Sequence, residues 1–255
     1  MPTDYLNPDP LSALLREIDE RKAQLDACRD SVSSQIVDAL NIEYTYDSNR
    51  IEGNTLTLRE TDLVINKGLT IGGKSMQEHL EAVNHYEAIQ YIRELSADAA
   101  NFSEKVIKDI HAIILQGIDR ENAGKYRSVP VAISGSRHIP PQPWQVPVLM
   151  EQLVAWYEEN EPVLHPVVLA AEVHERIATI HPFIDGNGRT ARLVMNLILI
   201  QRGYLVVNIA GDTDSRLAYY GALEKCNLED EKIEFIELIA GYVLNSLCGV
   251  LERVR

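Results

Sequence analysis

Apolar residues recur at helical spacing along most of the chain. In the first such segment Leu11, Leu14 and Ile18 fall on one face of a helix. The same spacing returns in 31–51, 75–95, 103–118, 146–159, 165–180, 189–202 and from 214 to the C-terminus. Strands do not alternate with these segments, as they would in an α/β fold. The pattern therefore predicts an all-α fold.

Local signals place a short helix and a loop region between these segments. Thr57 followed three residues later by Glu60 is typical of a capping box, and Gly68 is placed to end the helix. The helical pattern breaks between 119 and 146, where glycine and proline are frequent and the strand-like pieces are VPVAI and RHIP. We predict a small β-hairpin there, within an otherwise helical bundle.

Length and charge narrow the class of protein. With 255 residues and 45% hydrophobic content the chain can bury one good core, and we favour a single domain. Acidic residues exceed basic ones by 38 to 24, and the net charge of −14 would repel a phosphate backbone. The composition therefore argues against general nucleic-acid binding.

The cysteines and the N-terminus bear on the compartment. Cys28, Cys226 and Cys248 are odd in number and widely spaced, which indicates neither a disulfide framework nor a zinc site. The N-terminal MPTDYLNPDP lacks the basic and apolar regions of a secretion signal, and acidic residues interrupt the apolar pattern of the last helix. We expect a cytoplasmic protein with no membrane role.

The candidate chemistry is concentrated in HPFIDGNGRTAR, residues 181–192, between two apolar helical segments. The run Gly186 to Gly188 can adopt conformations closed to most residues, so that consecutive N–H groups at the start of the next helix form a phosphate-binding nest. Arg189 and Arg192 lie three apart on that helix, where both guanidinium groups can reach the oxygens of a polyphosphate.

Two further residues of the segment suit catalysis. Asp185 precedes the nest and could hold a Mg²⁺ that also touches phosphate oxygens. His181 stands at the entrance of the loop, where an imidazole could take a proton from a hydroxyl. Taken singly, a histidine before a proline and a glycine cluster are commoner in plain helix ends and turns. A structural role does not explain two neighbouring cations, which favours the functional interpretation.

The segment HPFIDGNGRTAR resembles the signature of the Fic family, HPFx(D/E)GNGRxxR, at every fixed position. SNRIEGN, residues 48–54, is similar to the family's inhibitory motif, which begins here with Ser48 and contains Glu52. GKYRSVPVAISGSRHIPP resembles the family's flap, a hairpin that aligns the target beside the nucleotide. The resemblance implies a Fic fold of the subclass with an N-terminal inhibitory helix.

The resemblance also implies a division of the chain. A single Fic-type domain would cover 1–255, with an inhibitory helix segment at 31–54. Its core would cover 103–228, with the flap at 126–146 and the catalytic motif at 181–192. The flap residues expected near nucleotide or target are Ser136, Arg137 and His138.

The implied activity is protein adenylylation, the transfer of AMP from Mg-ATP to a Ser, Thr or Tyr hydroxyl. His181 would deprotonate the hydroxyl, Asp185 would hold Mg²⁺, and the nest with Asn187 would stabilise charge on the α-phosphate. Arg189 and Arg192 would hold the β- and γ-phosphates. YYGALEKCN resembles a pattern associated with the nucleoside end of the nucleotide, which assigns that end to Tyr219, Tyr220 and Asn227.

Regulation and partners follow from the same resemblance. Glu52 would pair with Arg192 and compete with productive ATP binding, so the enzyme would be autoinhibited. In some members of the family this glutamate instead positions a water that removes AMP from a modified protein, and the sequence leaves this reverse activity open. A catalytically silent interaction module is another hypothesis, against which the intact His181, Asp185 and Arg192 argue. The implied partners are ATP and a target protein, which could be the chain itself, and homodimers occur among relatives.

A second motif raises the class of P-loop NTPases. GLTIGGKS, residues 68–75, satisfies the pattern GxxxxGK[ST]. That mechanism needs a strand before the loop and a second strand that ends in a Mg²⁺-holding Asp. The preceding TLRETDLVINKG instead has a helix start signal and helical spacing. We interpret 68–75 as a connector between helices.

Replacing Lys74 tests the connector interpretation. In a P-loop the lysine reaches the β- and γ-phosphates, so its loss would weaken nucleotide binding strongly. We expect Lys74→Ala to change the dissociation constant for ATP by less than about threefold, measured by isothermal titration calorimetry. A weakening of about tenfold or more would contradict the interpretation.

Overall fold

The computed structural model describes residues 10–98, 100–229 and 231–254. Residues 1–9, which make up most of the N-terminal MPTDYLNPDP discussed above, lie outside the described residues. Helices account for most of these three ranges and no strand occurs in them, which confirms the all-α prediction. The α-helices are α1 (Pro10–Ala27), α2 (Ser34–Ile51), α3 (Leu58–Lys67), α4 (Met76–Ala97), α5 (Glu104–Ile114), α6 (Val146–Asn160), α7 (Pro166–Ile180), α8 (Asn187–Gln201), α9 (Thr213–Glu229) and α10 (Ile233–Arg253).

Helix α8 runs through the middle of the core. Almost its whole length is buried, because LVMNLIL, residues 193–199, is apolar on all sides except at Asn196. Helix α7 packs along α8, and α4, α5 and α2 also contact it. The first turn of α8, which carries the end of the candidate motif, is therefore enclosed by other helices.

Two helix boundaries differ from the periodic pattern. Helix α5 ends at Ile114 rather than near 118, and Gly117 in the following turn takes a left-handed φ of 73°. The pattern that runs from 214 to the C-terminus belongs to two helices, α9 and α10, which are separated between Glu229 and Ile233. Apolar spacing alone did not show this break, because both helices bury residues in the same core.

Helix α10 is long and apolar. Its 21 residues and mean hydropathy of 1.5 would allow it to cross a membrane, by length and composition alone. In the structure it packs against α1 and α7, and one face of it, which includes Phe235, Ile239 and Val243, is buried in the core. This packing gives the apolar face a structural role.

The predicted start and end of helix α3 are confirmed. Oγ1 of Thr57 accepts a hydrogen bond from the N–H of Glu60 at 3.2 Å, and the Glu60 carboxylate accepts one from the N–H of Thr57 at 2.8 Å. Gly68 ends the helix in the left-handed conformation, with φ 62°. The loop from Gly68 to Ser75 then connects α3 to α4, so the P-loop hypothesis is wrong. Nζ of Lys74 donates to the carbonyl of Thr55 at 2.5 Å.

The flap is where the fold departs from prediction. Residues 126–142 form an extended loop with a turn at its tip, where the N–H of Ser136 donates to the carbonyl of Ile133 at 3.2 Å. The predicted β-hairpin is not formed, since no strand is assigned in this described stretch. Pro130 and Pro140 have no N–H to donate to a ladder. The side chain of Arg127 instead bonds to carbonyls in both arms.

Removing the cap of α3 should measurably destabilise the protein. We expect Thr57→Ala to lower the free energy of unfolding by about 1 kcal/mol, because the N–H of Glu60 loses its acceptor. Urea unfolding followed by circular dichroism measures this change. Thr57→Ser keeps the hydroxyl and is the matched control, and equal losses for both variants would show that the cap contributes nothing.

Candidate active site

The site forms where the C-terminus of α2 meets the N-terminus of α8. Glu52 is the residue that caps the end of α2, and its Oε1 lies 2.7 Å from a terminal nitrogen of Arg192. The two residues are 140 positions apart in the chain. Arg192 is fully buried, whereas the Glu52 side chain keeps one third of its surface exposed. The predicted pairing of Glu52 with Arg192 is thus present in the structure.

Arg192 is held mainly by residues of α2. Its Nε donates to Oγ of Ser48 at 3.0 Å, and a terminal nitrogen donates to the carbonyl of Ser48 at 2.9 Å. The other terminal nitrogen is 3.4 Å from the hydroxyl of Tyr219. Burial works against the charged form, but Glu52 and Tyr219 together raise the pKa of Arg192 above its ordinary value. The guanidinium therefore stays charged in the core.

The predicted nest lies directly beside this ion pair. Gly186 takes the left-handed conformation, with φ 76° and ψ 5°, and α8 begins at Asn187. The N–H groups of the first helical turn have no carbonyl partner within the helix, and the helix dipole favours an anion there. A side chain at Gly188 would collide with Oε1 of Glu52. A carboxylate thus already lies at the place where the nest would bind phosphate.

The side chain of Asn187 is bonded within the protein. It is 2% exposed, its Oδ1 accepts from the N–H of Phe183 at 2.9 Å, and its Nδ2 donates to the carbonyl of Phe183 at 2.9 Å. The amide therefore holds together the loop between α7 and α8, residues 181–186, which is called the catalytic loop below. Asn187 can therefore reach a phosphate through its backbone N–H only.

The two arginines of the motif contact different carboxylates. Arg189 is 3% exposed and lies 3.4 Å from Asp185 and 3.6 Å from Glu81, on the side of α4. Its Nε and one terminal nitrogen are buried without a hydrogen-bond partner. The predicted joint grip of Arg189 and Arg192 on one polyphosphate is not formed in this structure, because Glu52 and Ser48 hold Arg192. Arg189 instead faces Asp185 and Glu81.

Asp185 is suited to a Mg²⁺ site in which phosphate oxygens provide most of the ligands, rather than to a site built from protein ligands alone. Its side chain is 60% exposed, and Oδ1 accepts from the N–H of Gly186 at 2.6 Å. No cluster of three histidine, cysteine or acidic side chains suited to a metal occurs in the described ranges. Mg²⁺ commonly uses one or two carboxylates together with substrate phosphates. One exposed carboxylate beside a phosphate nest meets that requirement.

His181 is held in a strained backbone conformation at the end of α7. Its φ of 50° and ψ of 58° are left-handed, and it is the one non-glycine residue with positive φ in the described part of the chain. Its Nδ1 lies 3.2 Å from the carbonyl of Ala178. Because a carbonyl only accepts, Nδ1 carries the proton and Nε2 is left as a base. Burial lowers the pKa of His181, opposed by the bond to Ala178.

His111 packs against the loop that contains Phe183 and Asp185 and holds its backbone. The sequence analysis did not predict this role. Its Nδ1 accepts from the N–H of Gly124 at 3.0 Å, so its Nε2 donates to the carbonyl of Asp185 at 2.9 Å. The ring stacks on Phe183 with centroids 3.6 Å apart. Burial lowers the pKa of His111 to about 4. No spacing in the sequence indicated this contact, because the partners are 74 positions apart.

The residues assigned to the nucleoside end are not equivalent. Tyr219 is 1% exposed, and its hydroxyl lies between Arg192 and Nε2 of His174, which is 3.0 Å away. It therefore supports the arginine and has no surface for a nucleoside, which corrects the prediction. The hydroxyl of Tyr220 donates to the carbonyl of Ile51 at 3.2 Å. Tyr220 thus ties α9 to the last turn of α2.

Asn227 lies further along α9, at a cavity of ligand size. Its Oδ1 accepts a hydrogen bond from the hydroxyl of Thr179. The cavity, of about 560 Å³, is lined by α6, α7 and the end of α9, and includes Thr179 and Ile180, which directly precede His181. Ligand pockets typically have volumes of roughly 300–1,000 Å³. Of the three residues assigned to the nucleoside end, Asn227 alone lines this cavity.

The tip of the flap is fastened to α7 and α9. Nε2 of His138 lies 2.9 Å from the carbonyl of Thr179, and Oγ of Ser136 accepts from the N–H of His138 at 3.1 Å. Both the N–H and Nε of Arg137 donate to Glu224. The predicted flap residues therefore lie close to the end of α7 and hold the flap over it. None of them has a polar contact with the catalytic loop.

Known proteins with similar sequences belong to the family that the motif resembles. Residues 101–199 match the model of the Fic/DOC family. The chain is 34% identical over 245 residues to the protein adenylyltransferase Fic of Drosophila persimilis, covering 92% of this chain and 47% of that protein. The protein of the same name from Drosophila melanogaster is 34% identical over 238 residues, with 89% and 47% covered. The chain thus spans about half the length of these curated relatives.

Solved structures share the fold over nearly the whole chain. A Fic domain containing signaling protein from Bacteroides thetaiotaomicron superposes with a TM-score of 0.86 at 27% identity, covering 94% of this chain and 96% of that one. Residues 134–508 of Fic-1 from C. elegans superpose with a TM-score of 0.83 at 27% identity, covering 95% and 72%.

Buried neutral histidines should make the fold sensitive to mild acid. Burial lowers the pKa of His174 to about 3 and that of His111 to about 4. The unfolded chain takes up these protons below about pH 6.5, so the stabilisation is complete above that pH and is lost as the pH falls towards the folded values. Each histidine should remove about 1.4 kcal/mol of unfolding free energy per pH unit in that window.

Urea unfolding at pH 7, 6 and 5 measures this slope. The variant His111→Gln cannot take up the proton, so its slope should be smaller by about 1.4 kcal/mol per pH unit. A free energy of unfolding that does not change between pH 6.5 and 5 would contradict the assignment of these rings as neutral.

Proposed function

The chain belongs to the Fic/DOC family, and from that premise we propose that it transfers AMP from ATP to a Ser, Thr or Tyr hydroxyl of a protein and that Glu52 restrains this activity. The observation that carries the proposal is the position of the Glu52 carboxylate. It contacts the buried Arg192 and lies against Gly188 at the start of α8. A phosphate would use the same cation and the same N–H groups.

His181 supplies the base of the proposed reaction. The target hydroxyl gives its proton to Nε2 while its oxygen forms a bond to the α-phosphorus of ATP. The bond between that phosphorus and the oxygen bridging to the β-phosphate breaks, and pyrophosphate leaves. The bond of Nδ1 to Ala178 holds the ring in the tautomer that can accept this proton. Because burial lowers its pKa, the imidazole is neutral and ready at pH 7.

The start of α8 would hold the phosphates. Its free N–H groups face the charge that develops on the α-phosphate, and such preorganised donors need no rearrangement during the reaction. Arg189, which lies beside Asp185, would add its positive charge next to the phosphates. When bound, Mg²⁺ would neutralise phosphate charge, with the exposed carboxylate of Asp185 as its protein ligand. Arg192 would join once Glu52 has left.

We assign the nucleoside to the side of α9 that carries Asn227. The cavity beside Asn227 opens next to the last turn of α7, within a few residues of His181. The flap, fastened to that turn by His138, borders the approach of a target chain. A target segment passing along the flap would bring its hydroxyl towards His181.

The ion pair between Glu52 and Arg192 supplies a large part of the free energy that the proposed inhibition needs. Keeping about 99% of molecules in the closed form requires roughly 2.7 kcal/mol. A hydrogen bond to a charged group contributes about 1.5–3 kcal/mol. The Glu52 side chain is one third exposed, so solvent screens the pair and lowers its contribution towards the bottom of that range. A partner or a modification that displaces Glu52 would therefore have a modest free energy to overcome.

Substitution of Glu52 tests function and inhibition together. Wild type, Glu52→Gly and Glu52→Gly with His181→Ala are incubated with Mg²⁺ and α-labelled ATP, with and without cell lysate, and labelled protein is read on a gel. We expect Glu52→Gly to raise labelling by up to about 100-fold, because Arg192 becomes free for phosphate. The added His181→Ala should abolish it.

Glu52→Gln is the matched control, since it keeps the shape of the side chain and removes its charge. It should give labelling between wild type and Glu52→Gly. Equal labelling by wild type and Glu52→Gly would overturn the inhibitory role. If no folded, ATP-binding variant labels protein, the proposed transfer is wrong, and removal of AMP from a modified protein becomes the activity to assay.

A further inference from the structure

Arg127 is a buried cation at the base of the flap. It is 3% exposed, and its guanidinium donates to four backbone carbonyls. Nε bonds to His181 at 2.8 Å, and one terminal nitrogen bonds to Val129 at 3.3 Å. The other terminal nitrogen bonds to Pro141 at 2.5 Å and to Ile180 at 3.5 Å. No carboxylate pairs with this guanidinium among the described residues. Burying a charge without a counter-ion costs free energy, and hydrogen bonds to carbonyls offset only part of that cost. A buried guanidinium of this kind therefore indicates a specific role.

We propose that Arg127 is a positioning residue that sets the catalytic base and the flap with one side chain. Through Nε it fixes the left-handed backbone of His181, and through its terminal nitrogens it joins the two arms of the flap to the same point. This inference rests on the function proposed above, in which His181 is the base and the flap guides the target.

The backbone of His181 needs such an anchor. Left-handed backbone in a non-glycine residue costs of order 1–3 kcal/mol, so surrounding contacts must hold it. The main chain of Arg127 also takes part, because its N–H donates to the carbonyl of Pro182 at 2.9 Å. Arg127 thus binds the carbonyl of His181 through its side chain and the carbonyl of the next residue, Pro182, through its main chain. Pro182 has no N–H with which to hold this turn itself.

The flap depends on the same residue for a different reason. Its arms lack the ladder of hydrogen bonds that would join them in a hairpin. The bonds from Arg127 to Val129 and Pro141 connect the beginning of one arm to the end of the other. Any shift of the guanidinium therefore moves the flap and the carbonyl of His181 together.

The chemistry of arginine suits this task. A planar guanidinium presents several donors in a rigid fork and can reach carbonyls in different directions. A lysine ammonium at the same position carries the charge but concentrates its donors on one atom. The cation also acts on the base, since Arg127 adds to the burial effect that lowers the pKa of His181. Replacement by lysine keeps the positive charge and removes the planar set of donors, so the two contributions of Arg127 can be tested separately.

The test uses Glu52→Gly as the parent, with Arg127→Met, Arg127→Lys and Arg202→Met introduced singly. Arg202 lies at the far end of α8, where it pairs with Glu161, and its loss controls for removing one arginine. Folding of each variant is checked by melting temperature. Arg127→Lys keeps the charge and serves as the test if Arg127→Met does not fold.

Two measurements need no activity. Amide hydrogen exchange should rise in Arg127→Met both at 128–141 and at 181–185, and NMR titration of the His181 ring should give a higher pKa than in the parent. Arg127→Lys should show the rise in exchange with a smaller change of pKa. Faster exchange in the flap with an unchanged catalytic loop would overturn the joint role of Arg127.

Kinetics of labelling supply the third measurement. We expect kcat to fall by about 100-fold or more in Arg127→Met while KM for ATP changes less than about threefold, as for a misplaced catalytic group. Arg202→Met should match the parent. A rise in KM with unchanged kcat would refute the positioning of the base. If the parent itself does not label protein, the proposed function fails, while exchange and titration still decide the inference on Arg127.

Discussion

The charge of Arg192 is the constraint on which the site depends. A fully buried guanidinium is stable only with an anion and acceptors close by, and this one lies at the junction of α2, α8 and α9. Glu52 and Ser48 provide them from α2. A phosphate could replace the carboxylate, because it offers the same charge and acceptors. In the proposed function, inhibition and substrate binding are therefore two ways of meeting one electrostatic requirement, and regulation would depend on which anion contacts Arg192.

The catalytic loop is held by side chains that bind its backbone. Asn187 bonds to both polar groups of Phe183, His111 bonds to the carbonyl of Asp185, and Arg127 bonds to that of His181. These bonds leave Nε2 of His181 and the first N–H groups of α8 without a partner among the described residues, since only Nδ1 of the His181 ring is bonded, to the carbonyl of Ala178. Burial also keeps His111 in the neutral form that its two hydrogen bonds require. The loop thus keeps a strained shape without using the atoms needed for chemistry.

The errors of the sequence-based predictions have identifiable causes. The flap was predicted to be a hairpin because VPVAI and RHIP have strand-like composition, but prolines remove donors and Arg127 substitutes for the missing pairs. Tyr219 was assigned to the nucleoside end of the nucleotide, whereas its buried hydroxyl contacts Arg192 and His174. A motif shows which residue types are near the site but does not show which of their atoms remain available.

By itself, the sequence determined what depends on near neighbours in the chain: the helical fold, the cap of α3 at Thr57, and the meeting of nest, base and carboxylate within residues 181–192. The resemblance to a known family pointed to Glu52. Tertiary structure alone decided that Glu52 reaches Arg192 across 140 positions, that His111 reaches Asp185 across 74, and that Arg127 reaches His181 across 54. The reason is physical, since periodicity and capping act over a few residues, whereas these contacts exist only after helices distant in sequence have packed around α8.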